Sequence, residues 1–200
     1  QSALPVNDVW TSTDAKYWVK LSTHAPWSDR SDMSFVEFNK KIFLLGGYDE
    51  KSKTGYANND VWSSSDNGKT WKQLTKNAGW PTRAGYATVV FNNKLWILGG
   101  TDQGVYNDVW NSSDGKTWKQ VTASAGWSAR SSHTALVFNN KIWVLGGIDY
   151  NDLTNDVWSS SDGITWKQET AKAPWGKRMG HASQVFAGKM WVIGGNTGNN

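Results

Sequence analysis

The chain has 200 residues, of which 38% are hydrophobic and 19% charged, with 15 Trp, no Cys and a formal net charge of +4. So aromatic a composition excludes a disordered segment, and the missing Cys excludes a disulfide scaffold, a thiolate metal site and a cysteine nucleophile while fitting either redox compartment. The 21 basic and 17 acidic residues are spread without long runs, so no nucleic-acid partner is expected.

No apolar run approaches the roughly 18 residues that cross a bilayer, and Gln1–Pro5 lacks the basic start and apolar stretch of a signal peptide. A soluble, mature-looking single domain without a membrane partner is the expectation. Its first predicted element is a strand on Asn7-Asp8-Val9-Trp10, and the same tetrapeptide returns at Asn59, Asn107 and Asn155. Each copy then turns through a Ser- and Asp-containing hairpin to Trp18, Trp71, Trp118 or Trp166. In Ser161-Asp162-Gly163 the Asp can bond its own backbone and the Gly relieves a left-handed position.

A loop follows, carrying Trp27, Trp80, Trp127 or Trp175 and then Arg30, Arg83, Arg130 or Arg178. Next come two β-rich segments, such as Thr134–Phe138 and Lys141–Leu145, joined by Asn139-Asn140, a pair that tolerates positive φ in a tight hairpin. The equivalent joints are Asn39-Lys40, Asn92-Asn93 and Ala187-Gly188. Each copy ends on a glycine pair: Gly46-Gly47, Gly99-Gly100, Gly146-Gly147 and Gly194-Gly195. The four repeats run approximately over 7–47, 59–100, 107–147 and 155–195, the first lengthened mainly in a predicted surface loop at 49–58. No amphipathic helical window exceeds two turns, so four short strands per repeat and an all-β fold are predicted.

The Asn-Asp-Val-Trp strand, the Ser112–Trp118 hairpin, the Arg-containing loop and the terminal Gly-Gly together resemble the bacterial style of the kelch repeat family, over nearly the whole chain. The resemblance implies a β-propeller of four-stranded antiparallel blades. In that frame the chain opens on the third strand of a blade and closes on the second, so the two terminal hairpins are complementary halves whose raw edges are expected to combine. Because such propellers usually have about five to eight blades, an eight-bladed homodimer closed by strand exchange is expected, with a four-bladed monomer as the alternative and a fragment of a longer propeller also open.

The resemblance implies a non-enzymatic binding or scaffold module, its Arg30, Arg83, Arg130 and Arg178 ringing one mouth of the axial channel and holding an acidic peptide, protein or glycan ligand. The other reading of these arginines is that each bonds backbone carbonyls or a neighbouring Asp and staples blades. Trp27, Trp80, Trp127 and Trp175 are aromatic candidates for the same ligand, against a simple packing role. Asp49, Asp102 and Asp149, with Asn196 in the fourth slot, follow the glycine pairs and are expected at that mouth. Asp8, Asp60, Asp108, Asp156 and the turn residues Asp14, Asp66, Asp114 and Asp162 recur in every copy, as structural groups do.

His133 and His181 share a column with Tyr86 and Met33, too weak a signal for a metal site. The Asp-box-like Ser64–Trp71 segment is a turn, and no Tyr–Glu pair suits glycoside chemistry. Neither a Ser-His-Asp ordering nor a phosphate loop nor an HExxH helix is present, so no catalytic residue, cofactor or metal is assigned. A carbohydrate-active enzyme or lectin using the channel mouth, and a recently duplicated or engineered repeat protein without a specific ligand, are the remaining alternatives.

Overall fold

A computed structural model describes residues 6–49 and 57–198. Among them every regular element is a strand. The N-terminal hairpin pairs β1 (Val9–Thr11) with β2 (Val19–Ser22). Three complete blades follow: β3 (Ser34–Phe38), β4 (Lys41–Tyr48), β5 (Ala57–Ser64) and β6 (Lys72–Thr75); then β7 (Ala87–Phe91), β8 (Lys94–Thr101), β9 (Val105–Ser112) and β10 (Lys119–Thr122). The third contains β12 (Thr134–Phe138), β13 (Lys141–Asp149), β14 (Leu153–Ser160) and β15 (Lys167–Thr170), with the short β11 (Arg130–Ser131) also paired to β13. The C-terminal hairpin pairs β16 (Ala182–Phe186) with β17 (Lys189–Ile193). Neighbours in each sheet are antiparallel and, apart from the short β11, consecutive, as a meander of short strands requires.

The turns form where residue chemistry allows them. Asn39, Lys40, Asn92, Asn93, Asn139 and Asn140 all have positive φ, the conformation of a two-residue hairpin whose twist matches its strands. Gly194-Gly195 follows the end of β17 as expected, but the other three glycine pairs sit inside a strand: β13 continues to Asp149, with a bulge between Leu145 and Gly147. Gly147 has φ of 106°, and a Cβ there would lie 2.6 Å from the Cβ of His133. The pair thus lets the strand bend under the crossing Arg-containing loop. Most of the first-repeat insertion, 50–56, lies outside the described residues.

The core lies between blades. Phe43, Leu45 and Val61 of the first complete blade pack with Leu95 and Ile97 of the second and with Trp80 of the loop joining them. The loop Trp meets the hairpin Trp of the blade it enters edge to face: Trp27–Trp71 at 4.8 Å, Trp80–Trp118 at 6.0 Å and Trp127–Trp166 at 5.9 Å. Trp80 and Trp127 are each 1% exposed. Among the described residues the two terminal hairpins do not pair; they stand as separate two-stranded sheets, and no sheet closes.

Candidate functional site

The Asn-Asp-Val-Trp strand organises the face on which the joining loops emerge. In the first complete blade Asn59 Nδ2 donates to the carbonyls of Ala78 and Trp80, tying down the outgoing loop. Asp60 receives the Trp62 indole N–H at 2.8 Å and the Arg30 guanidinium at 2.7 and 3.2 Å, while Val61 is fully buried. Asp108 and Asp156 repeat this with Arg83 (2.6 and 2.9 Å) and Arg130 (2.6 and 2.8 Å). Each pair is a two-pronged match of planar guanidinium to carboxylate. Other guanidinium hydrogens go to backbone carbonyls, Gly46, Gly99 and Gly146 among them, and to the hydroxyls of Ser28, Ser128 and Thr154.

These bonds decide what the arginine column does. The sequence leaves it between a ring facing a ligand and groups that bond backbone carbonyls or a neighbouring Asp and staple blades; Arg83 and Arg130 have no exposed surface and Arg30 has 4%. Their guanidinium groups are used inside the blades, each fastening the incoming loop to the third strand of the blade it enters. Burial opposes ionisation of Asp156, but the hydrogen bonds and charge of Arg130 outweigh it and hold the pKa below the usual carboxylate value. Arg178 differs: it donates to the carbonyls of Gly176 and Gly194, and no carboxylate among the described residues pairs with it.

Trp27, Trp80 and Trp127 are buried against the hairpin rings, and Trp175 is half-buried beside His181. The acidic column does reach the loop face. Asp102 accepts from Thr82 Oγ1 at 2.5 Å, and Asp149 accepts the N–H groups of Asn151 and Asp152 at 2.8 and 3.0 Å. Burial works against the Asp149 carboxylate, but those N–H groups, Ser128 and the charge of Arg130 keep its pKa lowered. Asp49 is buried. The acids and arginines are therefore brought to one end of the blades, where the carboxylates that hold Arg30, Arg83 and Arg130 in two-pronged pairs are those of the Asn-Asp-Val-Trp strands.

Two features of this face were missed in the sequence. Open grooves recur beside the third and first complete blades, one lined by Ser128, Asp149, Asp152, Thr154, Lys172 and Lys177, the other by Ser28, Asn58, Asn59, Gln73, Lys76 and Thr82. Asn58 Nδ2 is buried there without a partner among the described residues. Nearer the axis, Asp32, Gly85, Ser132 and Gly180 all have φ between 51° and 61°, and the N–H groups of Ser132 and Gly180 donate to the carbonyls of Gly85 and Ser132. The mixture Asp, Gly, Ser, Gly in that column was the available signal, since all three residue types are frequent in turns.

His133 and His181 line the axial side together with Asp32, Met33 and Tyr86. Burial first, then the charge of Arg130 and the proximity of His181, pushes the pKa of His133 down to about 3. It is neutral at physiological pH. Among the described residues no cluster of three metal-ligating side chains forms.

Comparison with known families fits this geometry. The DUF6242 beta propeller domain matches residues 1–113, and the Kelch motif matches residues 129–159. No curated protein matches the chain.

Proposed function

The chain belongs to the kelch-like β-propeller family represented by the DUF6242 beta propeller domain, and from that premise we propose that it is a non-enzymatic binding module that holds a protein or peptide segment across its loop face. Kelch and propeller domains are protein-binding modules in general, and the fold alone does not choose the ligand. The observation that carries the reading is the recurrence of an open, polar groove at the same place beside the first and third complete blades, with Lys76 in one copy and Lys172 and Lys177 in the other. A repeated groove suits an extended ligand with repeated polar contacts. Lys177 is held by Asp152 at 2.5 Å, which leaves Lys76 and Lys172 to meet acidic side chains of the segment. The buried arginines act one layer below, fixing the loops that shape the grooves. Burial of Trp27, Trp80 and Trp127 leaves those three rings no free face for sugar stacking.

An array of Asp- and Glu-rich peptides tests the reading. Retention by the chain should weaken at least tenfold in Lys76→Glu/Lys172→Glu, and fall with added salt. Lys40→Glu/Lys94→Glu, placed at the hairpin turns on the other end of the blades, should leave it unchanged. Failure of every peptide to bind, or equal loss in both variants, overturns the proposal.

A further inference from the structure

The first complete blade shows what β17 lacks. There β4, the counterpart of β17, pairs on its outer side with β5, whose Asp60 takes the guanidinium of Arg30. On β17 that edge is open, and Arg178, the counterpart of Arg30, has no carboxylate partner among the described residues. The chain carries the missing part elsewhere. Strand β1 is the Asn-Asp-Val-Trp strand without a second-strand neighbour, and Asp8 keeps Oδ2 on the Trp10 indole at 2.7 Å. In Asp60, Asp108 and Asp156 the same oxygen takes the same indole, and Oδ1 takes the arginine. Asp8 therefore presents the oxygen that Arg178 needs.

Apolar burial tells the same story position by position. Leu45 and Leu98 are 0% exposed, but Ile193 in their column is 59% exposed. Phe38 and Phe91 are 4% and 3% exposed, against 69% for Phe186, and Trp118 is 9% exposed against 58% for Trp18. Each complete blade joins its loop Trp to its hairpin Trp; Trp175 and Trp18 are the members left without that contact. Charge, hydrogen-bond register and aromatic packing are thus complementary between the two hairpins, although within one chain they form separate sheets.

We infer that the β16–β17 hairpin of one copy takes the β1–β2 hairpin of a second copy as the outer half of a shared blade, with Arg178 of the first bridged to Asp8 of the second. By the register of Val144 with Trp158 and Leu145 with Val157, the shared sheet sets Val192 opposite Trp10 and Ile193 opposite Val9. Two such junctions, one at each end of the described residues, hold two copies together reciprocally. The second copy supplies the carboxylate without which the Arg178 site is incomplete. The junction is independent of what the loop face binds.

Sedimentation of the intact chain tests it. The wild type should run at twice the 22.2 kDa chain mass. Arg178→Glu, which sets two carboxylates face to face at each junction, and Asp8→Arg, which sets two guanidinium groups there, should each raise the dimer dissociation constant at least tenfold. An equimolar mixture of the two variants should recover the dimer, because at both junctions of the mixed pair a carboxylate again meets an arginine. That recovery also shows that both variants are folded, and a junction made within one chain could not produce it. A wild type running at the mass of a single chain, a dimer indifferent to both reversals, or a mixture that stays monomeric overturns the inference.

Discussion

At the residue scale the buried Arg–Asp pair is the most demanding group in the molecule. Taking both charges out of water is costly, and the pair is tolerable because two N–H···O bonds, the indole of the neighbouring Trp and a glycine carbonyl satisfy its atoms. Removing one partner is therefore much worse than removing both. Arg83→Met leaves Asp108 buried and uncompensated and should cost about 3–5 kcal/mol, a large part of the ~5–15 kcal/mol that holds a typical fold together. Arg83→Met/Asp108→Leu should recover most of that loss. Urea unfolding of the two variants checks it: a double variant no more stable than the single one means that the charge left unpaired is not the origin of the loss.

At the element scale the tip of each third–fourth-strand hairpin packs on the preceding blade. A Cβ at Gly163 would fall within the Trp96 ring, and the φ of 74° there already favours glycine. Gly163→Ala should cost about 1–3 kcal/mol from overpacking and lower the melting temperature by several degrees. Gly176→Ala, where a Cβ meets nothing within 4 Å, should change it little; equal effects at the two sites would refute the packing argument. Such hairpins were legible in the sequence because their chemistry is local: Ser160, Asp162 and Gly163 satisfy one another across three residues. The strand order and the paired asparagine turns were legible for the same reason. The bulge at the glycine pair of each complete blade was not, because it answers a crossing loop rather than its neighbours. The fate of the arginines was left between two readings, since Asp156 lies 26 positions beyond Arg130 and only the folded blade brings them together. The grooves escaped because their lining comes from separate turns of two adjacent repeats.

At the scale of the whole molecule, stability is close to a sum of blades and the interfaces between them, so a titrating group between blades acts on the assembly. His133 enters with the third complete blade but packs against Gly99 of the second, and Thr134 beside it bonds His181 Nε2 at 2.9 Å in the C-terminal hairpin. Burial holds the His133 pKa at about 3 in the folded chain, below its ordinary 6.5. Above pH 6.5 the ring is neutral in both states and costs nothing. As pH falls from 6.5 toward 3, the unfolded chain binds a proton that the folded chain refuses, so stability is lost across that window. Tyr86 fills the same column one blade earlier, donating its hydroxyl to the Leu45 carbonyl at 2.5 Å, and burial raises its pKa, leaving no charge to gain on acidification. His133→Tyr should therefore keep the neutral-pH melting temperature within a few degrees while flattening its decline between pH 6.5 and 3. Thermal unfolding of both proteins over that range decides the matter: parallel declines would mean that the acid sensitivity resides in the carboxylates, whose pKa values are lowered at Asp149 and Asp156, and not at the axis.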